Sequence, residues 1–308
     1  MMNGWAGDAS RYLPLVTHLR ICGSIWPMRF PMKLVAATAA LCASLAFAAD
    51  IDRSGGPYVP TPQAVVDAML ELAGVGPRDY VIDLGSGDGR IVLTGATRHK
   101  ASGMGVDIDP ELVDLANGSA RKLGVSERVR FEQRDVLAAD VSRATVITLY
   151  LLPGMMVNLQ AKLLAELRPG TRIVSHDFIF EKWKPDRTIT VQTPEKYDLS
   201  GSWTSDVHLW MVPAAVQGAW RVQRDGDQGE ASRLEIRQSF QHFDASFVLR
   251  GRTLELRGQL NGSQLSFTLP AANGGREQFT GTVASDRIQG EVRNGETVVA
   301  RWSAARIP

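Results

Sequence analysis

Between Pro62 and Pro213 the chain alternates apolar runs of strand length with segments of helical spacing. No other feature restricts the fold as much. Strands separated by helices pair in parallel, and the helices cover both faces of the sheet they cross. Thr61-Pro62 reads as a helix start with proline in the first turn, and "QAVVDAMLELAGV" has helical apolar spacing up to Gly74. The strand "YVIDL" follows, then a glycine loop and a helix from about Gly89 to His99. "GMGVDI" is the second strand, and "PELVDLANGSARKLG" is a helix closed by Gly124. "VRFEQRD" and "ATVITLYL" are the next two strands, followed by the helix "MMVNLQAKLLAELRPG" and the strand "TRIVSHDFIF". "RTITVQ" and "SDVHLWMVP" read as a closing hairpin. Residues 51–213 are therefore expected to form an α/β domain with a mainly parallel, doubly wound sheet.

After Pro213 helical spacing stops. Short alternating runs appear instead: "RLEIRQSF", "TLELRGQL", "QLSFTLP", "EQFTGTV", "RIQGEV" and "VVARWSA". Turn signals separate them at Gly251, Asn261-Gly262, Asn273-Gly274 and Asn294-Gly295. Residues 214–308 are expected to be a small antiparallel all-β domain, a barrel or sandwich of roughly eight strands. Because that pattern closes its own apolar face, the domain is expected to owe nothing to the preceding sheet. Its role is open between a ligand-binding barrel, a partner module and a stabiliser.

The N-terminus is set apart from the fold. Met32 and Lys33 precede "LVAATAALCASLAFA", an apolar run of 15 residues ending in the small-x-small triplet Ala46-Phe47-Ala48. Residues 32–48 read as a secretory signal peptide. As a helix the run covers roughly 23 Å, short of the ~30 Å hydrocarbon core, so a membrane anchor is the second reading. Residues 1–31 read as an over-extended start, with Met28 or Met32 as the initiator. Arg29 and Lys33 ahead of the run favour leaving the rest of the chain outside. The expected location is periplasmic or exported, with membrane anchoring as the alternative. Cys22 and Cys42 both lie in this leader, so a chain starting near Ala49 has no thiol for a disulfide or a metal.

The loop in "VIDLGSGDGRIVL" carries the chemistry. Glycines between a strand and a helix let backbone N–H groups approach a ligand closely. Gly85, Gly87 and Gly89 are spaced G-x-G-x-G, not the G-x-G-x-x-G of dinucleotide sites, and Asp83 and Asp88 would repel a pyrophosphate. An acid two residues before the first glycine suits a ligand with an ammonium group, such as S-adenosylmethionine. Asp107, ending the second strand, is placed to accept both ribose hydroxyls. Asp135, after "VRFEQR", is placed to accept the adenine amino group, with the Val136 N–H donating to the ring. Asp109, beside Pro110, reads as a helix N-cap. His176-Asp177 invites an acid–base role, but no third partner stands out. The net charge of +1 excludes a broad nucleic-acid surface, and no metal-ligand cluster or Ser-His-Asp set competes.

"DLGSGDGR", "GVDIDPEL" and "RFEQRDV" resemble the motifs of class I S-adenosylmethionine-dependent methyltransferases. "PYVPTP", "DLGSGDGRIV" and "LLPGMM" resemble more closely the protein-lysine methyltransferases related to the ATP synthase c-subunit enzyme. The resemblance spans roughly Tyr58 to Pro213 and leaves the β-rich tail outside. It implies a seven-stranded Rossmann-like sheet with its last strand antiparallel. It also implies S-adenosylmethionine as methyl donor and, as partner, a protein presenting a lysine, which can be membrane-associated. The cofactor set it implies is Tyr58, Thr61, Asp83, Gly85, Ser86, Gly87, Gly89, Asp107, Ile108, Asp135 and Val136. Tyr58 and Thr61 fall near the methionine carboxylate. Tyr150 and Pro153 face the methyl-transfer point, with Tyr150 orienting the acceptor. Two alternatives stay open: an exported binding protein that keeps the fold without turnover, and a small-molecule methyltransferase.

Overall fold

The computed structural model describes residues 58–197, 201–226, 232–249, 251–271 and 274–308. The readings of 1–31 and 32–48 lie outside the described residues. Among the described residues no helix is long and apolar enough to cross a membrane.

The elements run α1 (Gln63–Leu72), β1 (Tyr80–Leu84), α2 (Arg90–Arg98), β2 (Ser102–Asp107), α3 (Pro110–Lys122), β3 (Val129–Gln133), β4 (Val146–Leu149), α4 (Pro153–Glu166), β5 (Arg172–His176), β6 (Arg187–Gln192) and β7 (Thr204–Met211). They build a seven-stranded sheet of order β3-β2-β1-β4-β5-β7-β6. Strands β1 to β5 pair in parallel, and β7 enters antiparallel between β5 and β6. Successive side chains of a strand point to opposite faces, and both faces are covered. Val81, Val146, Val174 and Val207 pack on one side with Val65, Val66, Met69 and Leu70 of α1. Ile82, Leu84, Ile147 and Leu149 share a second cluster with Met156, Leu159 and Leu163 of α4 and with Trp210. Strand order reverses between β1 and β4, so the loops after these two strands open side by side, where open α/β sheets place their ligands.

At two of the boundaries that differ from the sequence reading, the backbone gives the reason. Helix α4 begins at Pro153, two residues before "MM", because proline supplies the φ of a first helical turn and needs no N–H there. The strand read through "TRIVSHDFIF" ends at His176. Asp177 has φ +60° and turns the chain out of the sheet, so Phe178, Ile179 and Phe180 are not in the ladder.

The tail forms β8 (Gly218–Arg224), β9 (Ser232–Ser239), β10 (His242–Leu249), β11 (Arg252–Asn261), β12 (Gln264–Pro270), β13 (Arg276–Ala284), β14 (Arg287–Asn294) and β15 (Thr297–Arg306). Each strand pairs antiparallel with the next and β15 returns to β8, closing an eight-stranded barrel without free edges. Alternate residues fill the inside: Trp220, Leu234, Phe247, Phe267, Phe279 and Trp302 are all buried, and Phe267 stacks on Phe279 at 4.8 Å. A packed interior of this kind is a core rather than a ligand cup.

The barrel nevertheless touches the sheet domain, contrary to the expectation of independence. Gln241, in the β9–β10 turn, accepts from Trp183 Nε1 at 2.9 Å and donates from Nε2 to the Lys184 carbonyl at 2.9 Å. Its neighbour Phe240 stacks on Trp183 at 5.7 Å with the rings 7° from parallel. The tail's apolar face closes as expected, but one of its turns also covers a tryptophan of the other core.

Candidate active site

A cleft of about 340 Å³ opens at the carboxyl ends of β1 and β4. Of the residues singled out from the sequence, Gly89, Pro153, His176 and Asp177 stand outside its lining and the others are in it. Gly89 is the N-cap of α2 at φ +81°, and a Cβ there would lie 2.6 Å from Phe131 and 2.8 Å from Ala116. Its glycine answers a packing need behind the loop. Pro153 is spent on starting α4 and is set back from the cleft wall.

The glycine loop is held from below by β2. Gly85 and Ser86 both donate their N–H groups to the Val106 carbonyl at 2.9 Å. Gly87 donates to Asp107 Oδ2 at 2.7 Å, and the Asp109 N–H donates to Asp107 Oδ1 at 3.0 Å. Each Asp107 oxygen thus accepts one backbone bond and keeps a second lone pair for a ligand hydroxyl. Gly87 stands at φ +53°, and a Cβ on it would come within 2.5 Å of Tyr58. The close approach of the Tyr58 ring therefore requires glycine.

Asp83 sits deeper, only 2% exposed, and Thr148 Oγ1 donates to its Oδ1 at 2.7 Å. Burial pushes its carboxyl up to about 7, with the negative charges of Asp107 and Asp88 adding to the rise. A cationic group placed beside Asp83 would offset that desolvation. Asp88 is different. Burial raises it, but the fork of Arg90, at 2.7 to 3.1 Å from both carboxylate oxygens, outweighs this and holds it below its usual range. The charge that faces a ligand here therefore belongs to Asp83 and Asp107 rather than to Asp88. Arg90 was not singled out from "GDGR", yet it also donates to the Thr61 carbonyl at 2.9 Å and ties the leading segment over the loop.

The remaining predicted residues complete the lining. Asp135 Oδ1 caps a short 3₁₀ turn by accepting from the Leu137 N–H at 2.9 Å. Asp109 caps α3 through the Glu111 N–H at 2.8 Å, as expected. Ile108 and Tyr58 are about half exposed at the rim, while Thr61 is buried. Ser86 Oγ is buried without a hydrogen-bond partner among the described residues. An unmatched hydroxyl in a cleft wall, two carboxylates without guanidinium partners and amide-rich glycine turns form a donor and acceptor set that fits S-adenosylmethionine.

Tyr150 follows β4 and faces this set. Its ring stacks on His176 at 3.9 Å and lies 6.0 Å from Phe178. Burial, then the charge of Asp177, raises the phenol, so it stays protonated at neutral pH. His176 is fully buried, with Nε2 2.9 Å from Ser205 Oγ and Nδ1 3.5 Å from Thr61 Oγ1. Burial pushes it down to about 4, so the ring is neutral and structural. It does not line the cleft and cannot meet a substrate. Phe178, Leu151 and Leu152 complete the wall on Tyr150's side. Phe178 was hidden because "HDFIF" reads as strand.

The model of the ANTKMT methyltransferase domain family matches residues 83–187. A protein-lysine N-methyltransferase of Saccharolobus islandicus is 40% identical over 157 residues, which are 51% of this chain and 93% of that protein. The adenine nucleotide translocase lysine N-methyltransferase of Mus musculus is 34% identical over 148 residues, 47% of this chain and 64% of that protein. Among solved structures, an RNA methyltransferase from Salinibacter ruber in complex with S-adenosyl-L-homocysteine is 46% identical. It covers 51% of this chain and 96% of its own, with a TM-score of 0.47.

Proposed function

We infer from one premise, that this chain belongs to the ANTKMT family of S-adenosylmethionine-dependent methyltransferases, that its acceptor is a lysine side chain of a protein. The observation that carries the choice of acceptor is the division of the cleft. Its acids, Asp83, Asp88, Asp107, Asp109 and Asp135, all lie with the glycine loop and the ends of β1 to β3. The wall of Tyr150, Leu151, Leu152 and Phe178 is aromatic and aliphatic.

Bound S-adenosylmethionine supplies an electrophilic methyl group on a sulfonium, so the N–C bond formed at the amine replaces the S–CH₃ bond that breaks. The protein's part is to place and desolvate the amine. A lysine ammonium has no lone pair, and its free pKa is about 10.4. An apolar wall favours the neutral amine and lowers that value. The Tyr150 hydroxyl has a lone pair for an amine N–H and a proton of its own to donate, so it can fix the direction of approach. No step needs His176.

The sequence reading of 32–48 as a signal peptide or anchor places this chemistry, as a further part of the proposal, in the periplasm or at the membrane, on a membrane-associated protein.

The test is transfer of tritium from methyl-labelled S-adenosylmethionine into envelope and membrane extracts, with hydrolysis to identify the labelled residue and mass spectrometry of the mature N-terminus. N-methyllysine in protein is the expected product, and Tyr150→Phe should slow turnover about tenfold, the worth of one hydrogen bond, with cofactor affinity kept. Label confined to RNA, to small molecules, or to carboxylates and hydroxyls would overturn the lysine assignment.

A further inference from the structure

We propose that the barrel takes part in the reaction: its β9–β10 turn anchors the segment that carries the acceptor wall, which makes Phe240 and Gln241 positioning residues for methyl transfer. This rests on the assignment of the Tyr150 side of the cleft to the acceptor.

Residues 177–186 leave the sheet at the end of β5 and cross from its carboxyl edge to the start of β6 at the opposite edge. The upper end bears Phe178, which lines the cleft beside Tyr150. There Asp177 is held by β7: its N–H donates to the Asp206 carbonyl at 2.7 Å, its carboxylate accepts the Asp206 N–H at 3.0 Å, and it pairs with Lys196. The lower end is held through Asp186, whose N–H donates to the Leu209 carbonyl at 2.8 Å. Between these ends the segment has no ladder, and side chains fix it instead. Phe180 and Trp183 are buried and stack at 5.4 Å, and Trp210 Nε1 donates to the Trp183 carbonyl at 2.8 Å.

The barrel supplies the other side of Trp183. Phe240 stacks flat on the indole, and Gln241 saturates both the indole N–H and the Lys184 carbonyl, as described above. Gln241 is itself 6% exposed, and its backbone carbonyl accepts the Leu260 N–H at 2.7 Å, so the residue that presents the amide is tied to the barrel wall. Without Gln241 a buried indole N–H and a carbonyl lose their partners. Phe240 has φ +52°, a conformation that suits glycine and strains a side chain. A two-residue turn that keeps phenylalanine there is held by what the ring touches, and the ring touches Trp183. Rings thus run from Phe240 through Trp183 to Phe180, two residues below Phe178. The glycine loop follows β1, Asp107 ends β2 and Asp135 follows β3, all across β4 from this run of rings.

The experiment uses the full chain with Phe240→Gly, which removes the ring but relieves the turn, with Gln241→Leu, and with Phe240→Tyr as the conservative control. Amide hydrogen exchange at Asp177, Phe178 and Asp186 should quicken by about three- to thirtyfold in the first two, the usual span for coupling residues, and stay at the wild-type rate in Phe240→Tyr. Calorimetric affinity for S-adenosylmethionine should not change. With poly-L-lysine as the probe acceptor, kcat/KM for the acceptor should fall by a similar factor while KM for the donor holds. Unchanged exchange over 177–186 in both disruptive variants, or loss of donor affinity in parallel, would overturn the proposal. Quickened exchange with no label entering poly-L-lysine from any of the proteins would leave the anchoring intact and sink the lysine assignment instead.

Discussion

Replacing Asp83 with asparagine should stabilise the ligand-free protein while weakening its hold on the cofactor. Asp83 is buried, and the removal of its carboxylate from water, with Asp107 and Asp88 nearby, raises its pKa from 3.8 to about 7. A shift of about three units corresponds to roughly 4 kcal/mol, at ~1.36 kcal/mol per unit. The folded-state value is the raised one, so the folded chain binds more protons than the unfolded chain between about pH 4 and pH 7. Stability therefore falls as pH rises through that window, and the full penalty is present above it. Asparagine removes the charge and can still accept from Thr148 Oγ1, which lies 2.7 Å from Asp83 Oδ1. Urea unfolding of ligand-free Asp83→Asn should show a gain of up to about 4 kcal/mol at pH 8 that shrinks towards zero as pH falls to about 4. Calorimetry should show weaker S-adenosylmethionine binding for the variant. For the wild type, affinity should rise with pH up to about 7, with proton release on binding below it, because a cationic ligand selects the carboxylate. A variant less stable than wild type at pH 8, or a pH-independent difference, would refute the account of Asp83 as an unpaired charge awaiting a cation.

Asp107→Ala removes the acceptor of two backbone N–H groups and of the expected ribose hydroxyls. It should cost about 2–4 kcal/mol of cofactor binding without loss of cooperative unfolding, and unchanged calorimetric affinity would sink the ribose assignment. Gly87→Ala meets both a positive φ and the Tyr58 ring, and should lower stability by about 1–2 kcal/mol along with cofactor affinity. Adding Tyr58→Ala should recover the steric part but not the backbone part, and melting temperatures that simply add would show that the two residues do not touch.

The donor half of the site was legible because its geometry is local. The glycines, the acids at three strand ends and the Asp109 cap each act on neighbours a few residues away or across one strand, so spacing alone placed them. Asp88 was the exception: its charge was read as facing the ligand, and only the position of the Arg90 fork, two residues on, showed it to be neutralised. The acceptor half was less legible. Tyr150 was placed by resemblance, but Phe178 was not found, because the turn that aims it depends on Asp177 at φ +60°, held by Asp206 and Lys196. Nothing in "SHDFIF" marks that turn. Strand β10 was passed over for a related reason: the β9–β10 turn "SFQH" contains no glycine, asparagine or proline.

That silent turn reaches the other domain through its side chains, and the coincidence has a physical cause. A free hairpin turn is chosen for its own conformation, and the β14–β15 turn, with open space around Gly295 at φ +60°, is of that kind. A turn with a tertiary task is chosen for what its side chains must contact, and local preference gives way. Phe240 at φ +52° and the buried amide of Gln241 fit the second description. The Saccharolobus islandicus relative is matched along 93% of its length by 51% of this chain, which leaves that relative room for one unit of this size and not two. A barrel joined to such a unit bears, in this chain, on the segment that carries the acceptor wall. The effect expected of it is a graded change in how an acceptor is held, with the donor site left as the shorter relatives' length can already encode it.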